Sequence, residues 1–128
     1  MSTFTFDHIH LRSPNPEETA QYFERMFDAE IIRSIEQGKP RIDMKIGGQN
    51  VFIAPVPPNA GVNAPPVTPY QGLDHFGLKV KGIEKVVADL KAKGAEFTME
   101  LTSPRPGIRI CFIRGPQGTS IEVLEREV

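Results

Sequence analysis

One segment of this chain occurs twice. Residues 6–30, FDHIHLRSPNPEETAQYFERMFDAE, recur as residues 73–96, LDHFGLKVKGIEKVVADLKAKGAE, with a deletion of one residue. An offset of 67 residues pairs His8 with His75, and an aspartate precedes each of them. A repeat of this kind indicates one supersecondary unit used twice, with two equivalent histidines related by a pseudo-twofold axis. Such a pair of imidazoles suggests a metal site.

The composition limits the classes of partner. The 128 residues carry a net charge of −1, which gives no basic field for nucleic acid or an anionic membrane. The apolar runs are far shorter than the ~20 residues of a membrane span, and no signal peptide is expected. The one cysteine, Cys111, excludes an intrachain disulfide and is expected in the core. We therefore expect a cytoplasmic protein with a small-molecule substrate and neither a nucleic-acid nor a membrane partner.

Copy one is predicted to have the order β-α-β-β-β. Pro16 and the acidic residues after it are typical of a first helical turn, and Gly47-Gly48 predicts a tight hairpin turn. The predicted elements are a strand at 4–11, a helix at 16–27, and strands at 30–36, 41–46 and 50–55.

Copy two repeats this order after a proline-rich spacer. Its helix is predicted to end with Gly94 as its C-cap, and a turn at 115–118 closes the last hairpin. The predicted elements are a strand at 74–79, a helix at 83–93, and strands at 96–101, 108–113 and 120–125. The chain is predicted to be one domain, 1–128, composed of a repeat at 4–55, a stiff spacer at 56–72 and a repeat at 73–128.

The two βαβββ units, the histidine on the first strand of each and the final strand IEVLE after GPQG resemble the vicinal oxygen chelate superfamily. This superfamily includes glyoxalase I, fosfomycin-resistance transferases, methylmalonyl-CoA epimerase, extradiol dioxygenases and bleomycin-resistance proteins. The resemblance implies a single glyoxalase-like α+β domain, in which the two repeats form a half-barrel-like mixed sheet with helices on the outer face. It also implies a homodimer.

Strand parity predicts which side chains share a cavity. Residues two apart lie on one face of a strand, so His8, His10 and Arg12 point away from the helix. His75 and Lys79 have the same parity in copy two.

The last strand completes the predicted site. Its apolar residues Ile121 and Val123 belong on the helix side, which turns Glu122 into the cavity. By resemblance, His8, His75 and Glu122 are expected to bind one divalent metal ion, Fe, Mn, Zn, Co or Ni. The repeat places Phe52 where a fourth ligand would match Glu122, so the pattern resembles the three-ligand branches.

The hairpin register predicts the rest of the cavity. Pairing across Gly47-Gly48 puts Arg41, Asp43, Lys45, Asn50 and Phe52 on the cavity face. His10 and Asp43 are the candidate general acid and base, although Asp43 also fits an ordinary exposed strand and His10 a structural hydrogen bond. The predicted substrate-binding residues are Arg12, Arg41, Lys45, Phe52, Lys79, Ile110 and Phe112.

These expectations favour a metal-dependent glyoxalase-like enzyme of the lyase, isomerase or epimerase class. The ion would chelate neighbouring oxygens of a small anionic substrate. Two alternatives stay open at this point. One is an extradiol-type Fe(II) dioxygenase, and the other is a metal-free protein that sequesters a ligand, as the bleomycin-resistance proteins do.

Overall fold

The computed structural model describes residues 2–127, and the predicted end points Met1 and Val128 lie outside them. Contacts divide the chain into two compact units between Asn63 and Ala64, inside the predicted spacer. Each unit is a βαβββ arrangement with one mixed four-stranded sheet and one helix. The predicted α+β class and the duplicated order are confirmed. Neither helix in the described part of the chain is long and apolar enough to cross a membrane.

The first unit has the strand order β1-β4-β3-β2, with β1 parallel to β4 and the other pairs antiparallel. Its elements are β1 (His8–Ser13), α1 (Pro16–Phe27), β2 (Glu30–Glu36), β3 (Lys39–Ile46) and β4 (Gln49–Pro55).

The second unit has the matching order β5-β8-β7-β6, again with one parallel pair, β5 with β8. Its elements are β5 (Phe76–Lys79), α2 (Ile83–Ala92), β6 (Glu96–Arg105), β7 (Ile108–Arg114) and β8 (Ser120–Arg126). A short 3-10 turn, Pro116–Gly118, joins β7 to β8 as predicted.

Helix α1 covers one face of the first sheet. Phe23 is fully buried, and Met44, Val51 and Ile53 lie beneath the helix with 1–3% exposure. The hairpin of β3 and β4 has the predicted register, from Ile42 opposite Ile53 to the pair beside the glycine turn. The face opposite α1 is therefore the one that carries Arg41, Asp43 and Phe52, as predicted.

The start of α1 is fixed by its sequence. Asn15 accepts a hydrogen bond from the Glu18 backbone N–H, and Pro16 is the first helical residue. Pro16 at the first helical position is as predicted, and the structure adds Asn15 as the N-cap. The helix has the predicted bounds.

Helix α2 covers one face of the second sheet, as α1 covers one face of the first. Ile83 and Leu90 pack against Ile113, Ile121 and Val123, all at most 1% exposed. Cys111 is also fully buried, and burial raises the pKa of its thiol, in agreement with its predicted place in the core.

Two strands begin later than predicted. β1 begins at His8 rather than Phe4, and β5 at Phe76 rather than Asp74. A strand ladder extends only as far as its partner does: β1 pairs with β4 from Asn50 onward, and β5 with β8 from Ile121 onward. The Asp-His dipeptides therefore lie at the entrances of these strands. β1 also continues to Ser13, two residues beyond the predicted end.

Other boundaries differ as well. β3 begins at Lys39 rather than Arg41, and β4, β7 and β8 are each one residue longer than predicted. β6 continues to Arg105, because its turn into β7 contains only residues 106 and 107. Its pairing with β7 shifts register repeatedly, and sequence alternation does not indicate such irregularity. α2 ends at Ala92, and Gly94 follows the cap residue with a φ of +85°.

Candidate functional site

His75 lies between two carboxylates. Its Nδ1 is 2.9 Å from Asp74 Oδ2, and its Nε2 is 3.2 Å from Glu122 Oε1. The Tyr70 backbone N–H donates to the other oxygen of Asp74 at 3.3 Å. The hydrogen bond from His75, followed by that from Tyr70, lowers the pKa of Asp74. His75 is therefore held in one orientation, with Nε2 directed toward Glu122.

The strand register brings Glu122 to this position. Glu122 is flanked by Gly77 on β5 and by Phe112 on β7. A Cβ at Gly77 would lie 3.1 Å from Leu124 Cδ2 and 3.6 Å from Glu122 Oε1. The Phe112 ring contacts the edge of His75 at 4.9 Å between centroids. A side chain at Gly77 would therefore crowd Leu124, whereas it would only make ordinary contact with the Glu122 carboxylate, which is 18% exposed.

The Nδ1 of His8 also contacts the preceding aspartate, but the side chain beside the ring on the sheet is an aromatic one. Its Nδ1 is 2.7 Å from Asp7 Oδ2, and its ring stacks on Phe52 at 4.2 Å between centroids and 27° between planes. Phe52 lies opposite His10 in the ladder, as Glu122 lies opposite Gly77. Phe52 therefore occupies the position that the repeat assigns to it, and an aromatic stack replaces the contact between imidazole and carboxylate.

A cleft of about 230 Å³ lies on this face of the first unit. Arg41 donates from Nε to Asp43 Oδ2 at 2.8 Å, and its guanidinium lies 5.0 Å from the centroid of the Phe52 ring. Asp43 is 18% exposed and is directly opposite Phe52 across the strands. The cleft is lined by His10, Pro40, Arg41, Asp43, Phe52, Ile53, Ala54 and Pro55. It combines an imidazole, an ion pair and an aromatic surface.

The other predicted contact residues lie on the same strands with different exposure. Arg12, Lys45 and Lys79 are exposed. Ile110 and Phe112 are half-buried on β7, between the buried residues that face α2. The predicted contact residues on β3 are thus charged, and those on β7 are apolar.

Comparison with known proteins assigns the family. Residues 5–123 match the model of the glyoxalase/bleomycin resistance protein/dioxygenase superfamily. The chain belongs to this superfamily. Its members bind small molecules, and they include metal-dependent enzymes.

The relatives of this superfamily member are distant. A lactoylglutathione lyase from Arabidopsis thaliana is 23% identical over 94% of this chain, which spans only 44% of that protein. A glyoxalase family protein from Bacillus cereus has a TM-score of 0.76 at 18% identity, with 100% of this chain and 99% of that chain covered. The fosfomycin resistance protein FosX from Listeria monocytogenes has a TM-score of 0.71 at 15% identity, with 100% and 96% covered. The two structural matches show the shared fold alone.

The imidazoles and carboxylates described above are of the kinds that bind divalent ions. The Glu122 carboxylate lies beside Nε2 of His75. In His8 and in His75, the carboxylate of the preceding aspartate lies at Nδ1 and leaves Nε2 for another group. Ligating histidines in proteins usually have their second nitrogen held in this way. Within residues 2–127, no three His, Cys, Asp or Glu side chains form a group that could hold a metal ion. The centre composed of His8, His75 and Glu122 therefore stays a prediction.

Sequence reasoning missed two kinds of residue in this superfamily member. Asp7 and Asp74 were part of the repeated motif, but the motif alone did not show that their carboxylates reach the adjacent imidazoles. Glu125 accepts from the backbone N–H groups of Gly82 and Ile83 and so caps α2 from 42 to 43 residues away. The repeated aspartate was a usable signal for the first role, whereas the second depends on long-range contacts.

Proposed function

We propose that this protein is a divalent-metal-dependent enzyme of the lyase, isomerase or epimerase class, with His8, His75 and Glu122 as its metal ligands. The observation that carries the proposal is the geometry of His75. Its Nδ1 is held by Asp74, and its Nε2 is directed at Glu122 Oε1 from 3.2 Å. Family membership and the equivalent Asp7-His8 pair support it.

A divalent ion bound there supplies Lewis-acid stabilisation of a developing enolate or oxyanion. His10 is the proposed proton carrier, because it follows His8 by two residues on the same face of β1 and lines the cleft. Asp43 is the second candidate base. It lines the same cleft and accepts a hydrogen bond from Arg41.

The proposed substrate is small and anionic, with neighbouring oxygens. Arg41 and Lys45 on β3 supply positive charge, while Ile110 and Phe112 on β7 supply apolar surface. The names of the distant relatives suggest S-lactoylglutathione and fosfomycin as first compounds to assay. We also propose that the chain forms a homodimer, as expected from the superfamily.

Chelation followed by metal addition tests the proposal. Turnover of either compound should disappear in the chelated protein and return with one of Mn²⁺, Ni²⁺, Co²⁺ or Zn²⁺. His10→Ala should bind metal as the unmodified protein does and lose turnover, typically by about 10²–10⁴-fold for a general acid or base. Turnover that is indifferent to chelation would contradict the metal mechanism, and full activity in His10→Ala would remove His10 from it.

A metal-free binding protein is the second candidate. The observation that favours it is Phe52, which stacks on His8 where a fourth ligand would lie and has Arg41 on its ring. Such a surface suits a planar ligand. Ligand binding that persists unchanged in the chelated protein, without turnover, would support this candidate. Oxygen uptake with a catechol after anaerobic Fe²⁺ loading would instead indicate the dioxygenase.

A further inference from the structure

Each histidine of the repeated motif has its own carboxylate partner. The aspartate that precedes it in sequence lies 2.7 Å from Nδ1 in His8 and 2.9 Å in His75. The same contact is thus present in both units. Since it occupies Nδ1 in both, Nε2 is the nitrogen that each ring can offer to another group.

This contact departs from ordinary strand geometry. Successive side chains of a regular strand point to opposite faces, so an aspartate and the histidine after it do not meet there. Asp7 precedes the first residue of β1, and both Asp74 and His75 precede β5. The late start of the two strands is what allows each carboxylate to turn back onto the adjacent ring.

We propose that Asp7 and Asp74 are positioning residues that select the metal-binding tautomer of His8 and His75. The inference rests on the proposed function of this site. A neutral imidazole has one N–H donor and one acceptor nitrogen, and an ionised carboxylate can only accept. In His8 the nitrogen that faces the aspartate therefore carries the proton, which leaves the lone pair of Nε2 available to a divalent ion. In His75, where Glu122 faces Nε2, the shorter contact with Asp74 favours the proton on Nδ1.

The two aspartate side chains differ in exposure and in the hydrogen bonds that restrain them. Asp74 is 35% exposed in its side chain, and the Tyr70 N–H fixes its second oxygen. The Asp7 side chain is 80% exposed, and what is held there is its backbone carbonyl, which accepts from the side chains of Gln49 and Asn50. The larger effect is therefore expected at Asp74.

His75 gives the sharper test because a second carboxylate competes for its proton. Glu122 lies at Nε2, slightly farther away than Asp74 lies from Nδ1. In Asp74→Asn the amide can donate as well as accept, so Glu122 becomes the better acceptor. The proton should then move to Nε2 and block the lone pair that the ion requires.

The first arm of the experiment measures the tautomers in metal-free protein. Long-range ¹H–¹⁵N NMR of the imidazoles, at about pH 8.5 where histidine is ordinarily neutral, distinguishes Nδ1–H from Nε2–H. Both rings should be Nδ1–H in the unmodified protein. Asp74→Asn should shift His75 toward Nε2–H. The control Asp89→Asn removes a charge from α2, where the side chain is 59% exposed, and should change neither ring.

The second arm measures Co²⁺ affinity by calorimetry and visible absorption. Loss of such a supporting carboxylate typically weakens metal binding by about 10–100-fold. We expect this range for Asp74→Asn, a smaller loss for Asp7→Asn and none for Asp89→Asn.

The two arms separate failure of this inference from failure of the proposed function. If the unmodified protein binds Co²⁺ and both Asp→Asn variants keep its affinity and tautomers, the positioning role is wrong while the metal site stands. If the unmodified protein binds no Co²⁺, the proposed function fails and the tautomers decide the positioning role alone. An Nε2–H form of His75 in the unmodified protein would overturn that role in either case.

Discussion

The ring of Phe52 is predicted to stabilise the first unit through two contacts that an aliphatic side chain cannot make. It stacks on His8 at 4.2 Å, and the Arg41 guanidinium lies 5.0 Å from its centroid. Phe52→Leu keeps an apolar side chain of similar reach, so the loss should come mainly from these contacts. The contact with His10, at 6.2 Å and 83°, is longer and should contribute least.

The magnitude follows from ordinary values for such contacts. An aromatic pair contributes about 0.5–1.5 kcal/mol beyond its buried area, and an exposed cation–π contact contributes about 0.5–1 kcal/mol. Phe52 is half-buried, which favours the lower half of each range. Phe52→Leu should therefore lower the free energy of unfolding by about 1–2 kcal/mol.

Urea denaturation followed by circular dichroism measures this loss. With a slope of about 2 kcal/mol/M, the midpoint should fall by roughly 0.5–1 M at unchanged slope. A double-mutant cycle with Arg41→Gln should give a coupling of about 0.5 kcal/mol for the cation–π contact alone. Phe112→Leu is the matched control, since that ring contacts His75 and has no cation over it among residues 2–127, and it should lose less. An unchanged midpoint in Phe52→Leu would refute the stacked arrangement, and zero coupling would refute the contribution of the Arg41 contact.

Three further predictions concern the supports of the strands. Ser13→Ala, at the buried end of β1, should lower the free energy of unfolding by about 1–3 kcal/mol, because it leaves the Thr19 hydroxyl without its acceptor. Thr19→Val should lower it by only about 0.5–1.5 kcal/mol. Equal urea midpoints for the two variants would contradict this difference. Glu125→Gln should lower stability at neutral pH, because the backbone N–H groups at the start of α2 hold the pKa of that carboxyl below its usual value. A carboxyl whose pKa is lowered by folding stabilises the fold above its usual pKa, and this contribution is lost as the pH falls through the lowered pKa. The difference in free energy of unfolding between Glu125→Gln and the unmodified protein should therefore close over that range. A difference that does not change with pH would contradict the cap. Gly77→Val should lower the free energy of unfolding by about 1–3 kcal/mol because its side chain would press on Leu124, and Gly77→Ala should lower it less. Identical melting temperatures of the two variants would contradict this.

Sequence reasoning was accurate where local rules determine the structure. The Gly47-Gly48 turn fixed the register of β3 and β4, and the register fixed which residues face α1 and which face the cleft. Pro16 and the acidic residues after it predicted the start of α1. The repeat also predicted that Phe52 occupies the position of Glu122 in the other unit.

Sequence reasoning failed where a distant partner determines the outcome. The strands β1 and β5 begin only where β4 and β8 offer pairing, and local alternation carries no record of that limit. Glu125 reads as a surface residue beside Glu122, yet it replaces the side-chain cap that Gly82 at the start of α2 lacks. The carboxylate contacts of Asp7 and Asp74 follow from these same strand limits, so they too could not be read from alternation.

The metal content of reconstituted protein tests the central claim most directly. The unmodified chain and the control Glu127→Ala should each bind one equivalent of Co²⁺ per chain, measured by elemental analysis after removal of excess metal. Glu122→Ala should retain none, because it removes the carboxylate that faces His75. A metal-free unmodified protein, or a Glu122→Ala variant that retains a full equivalent, would contradict the proposed centre.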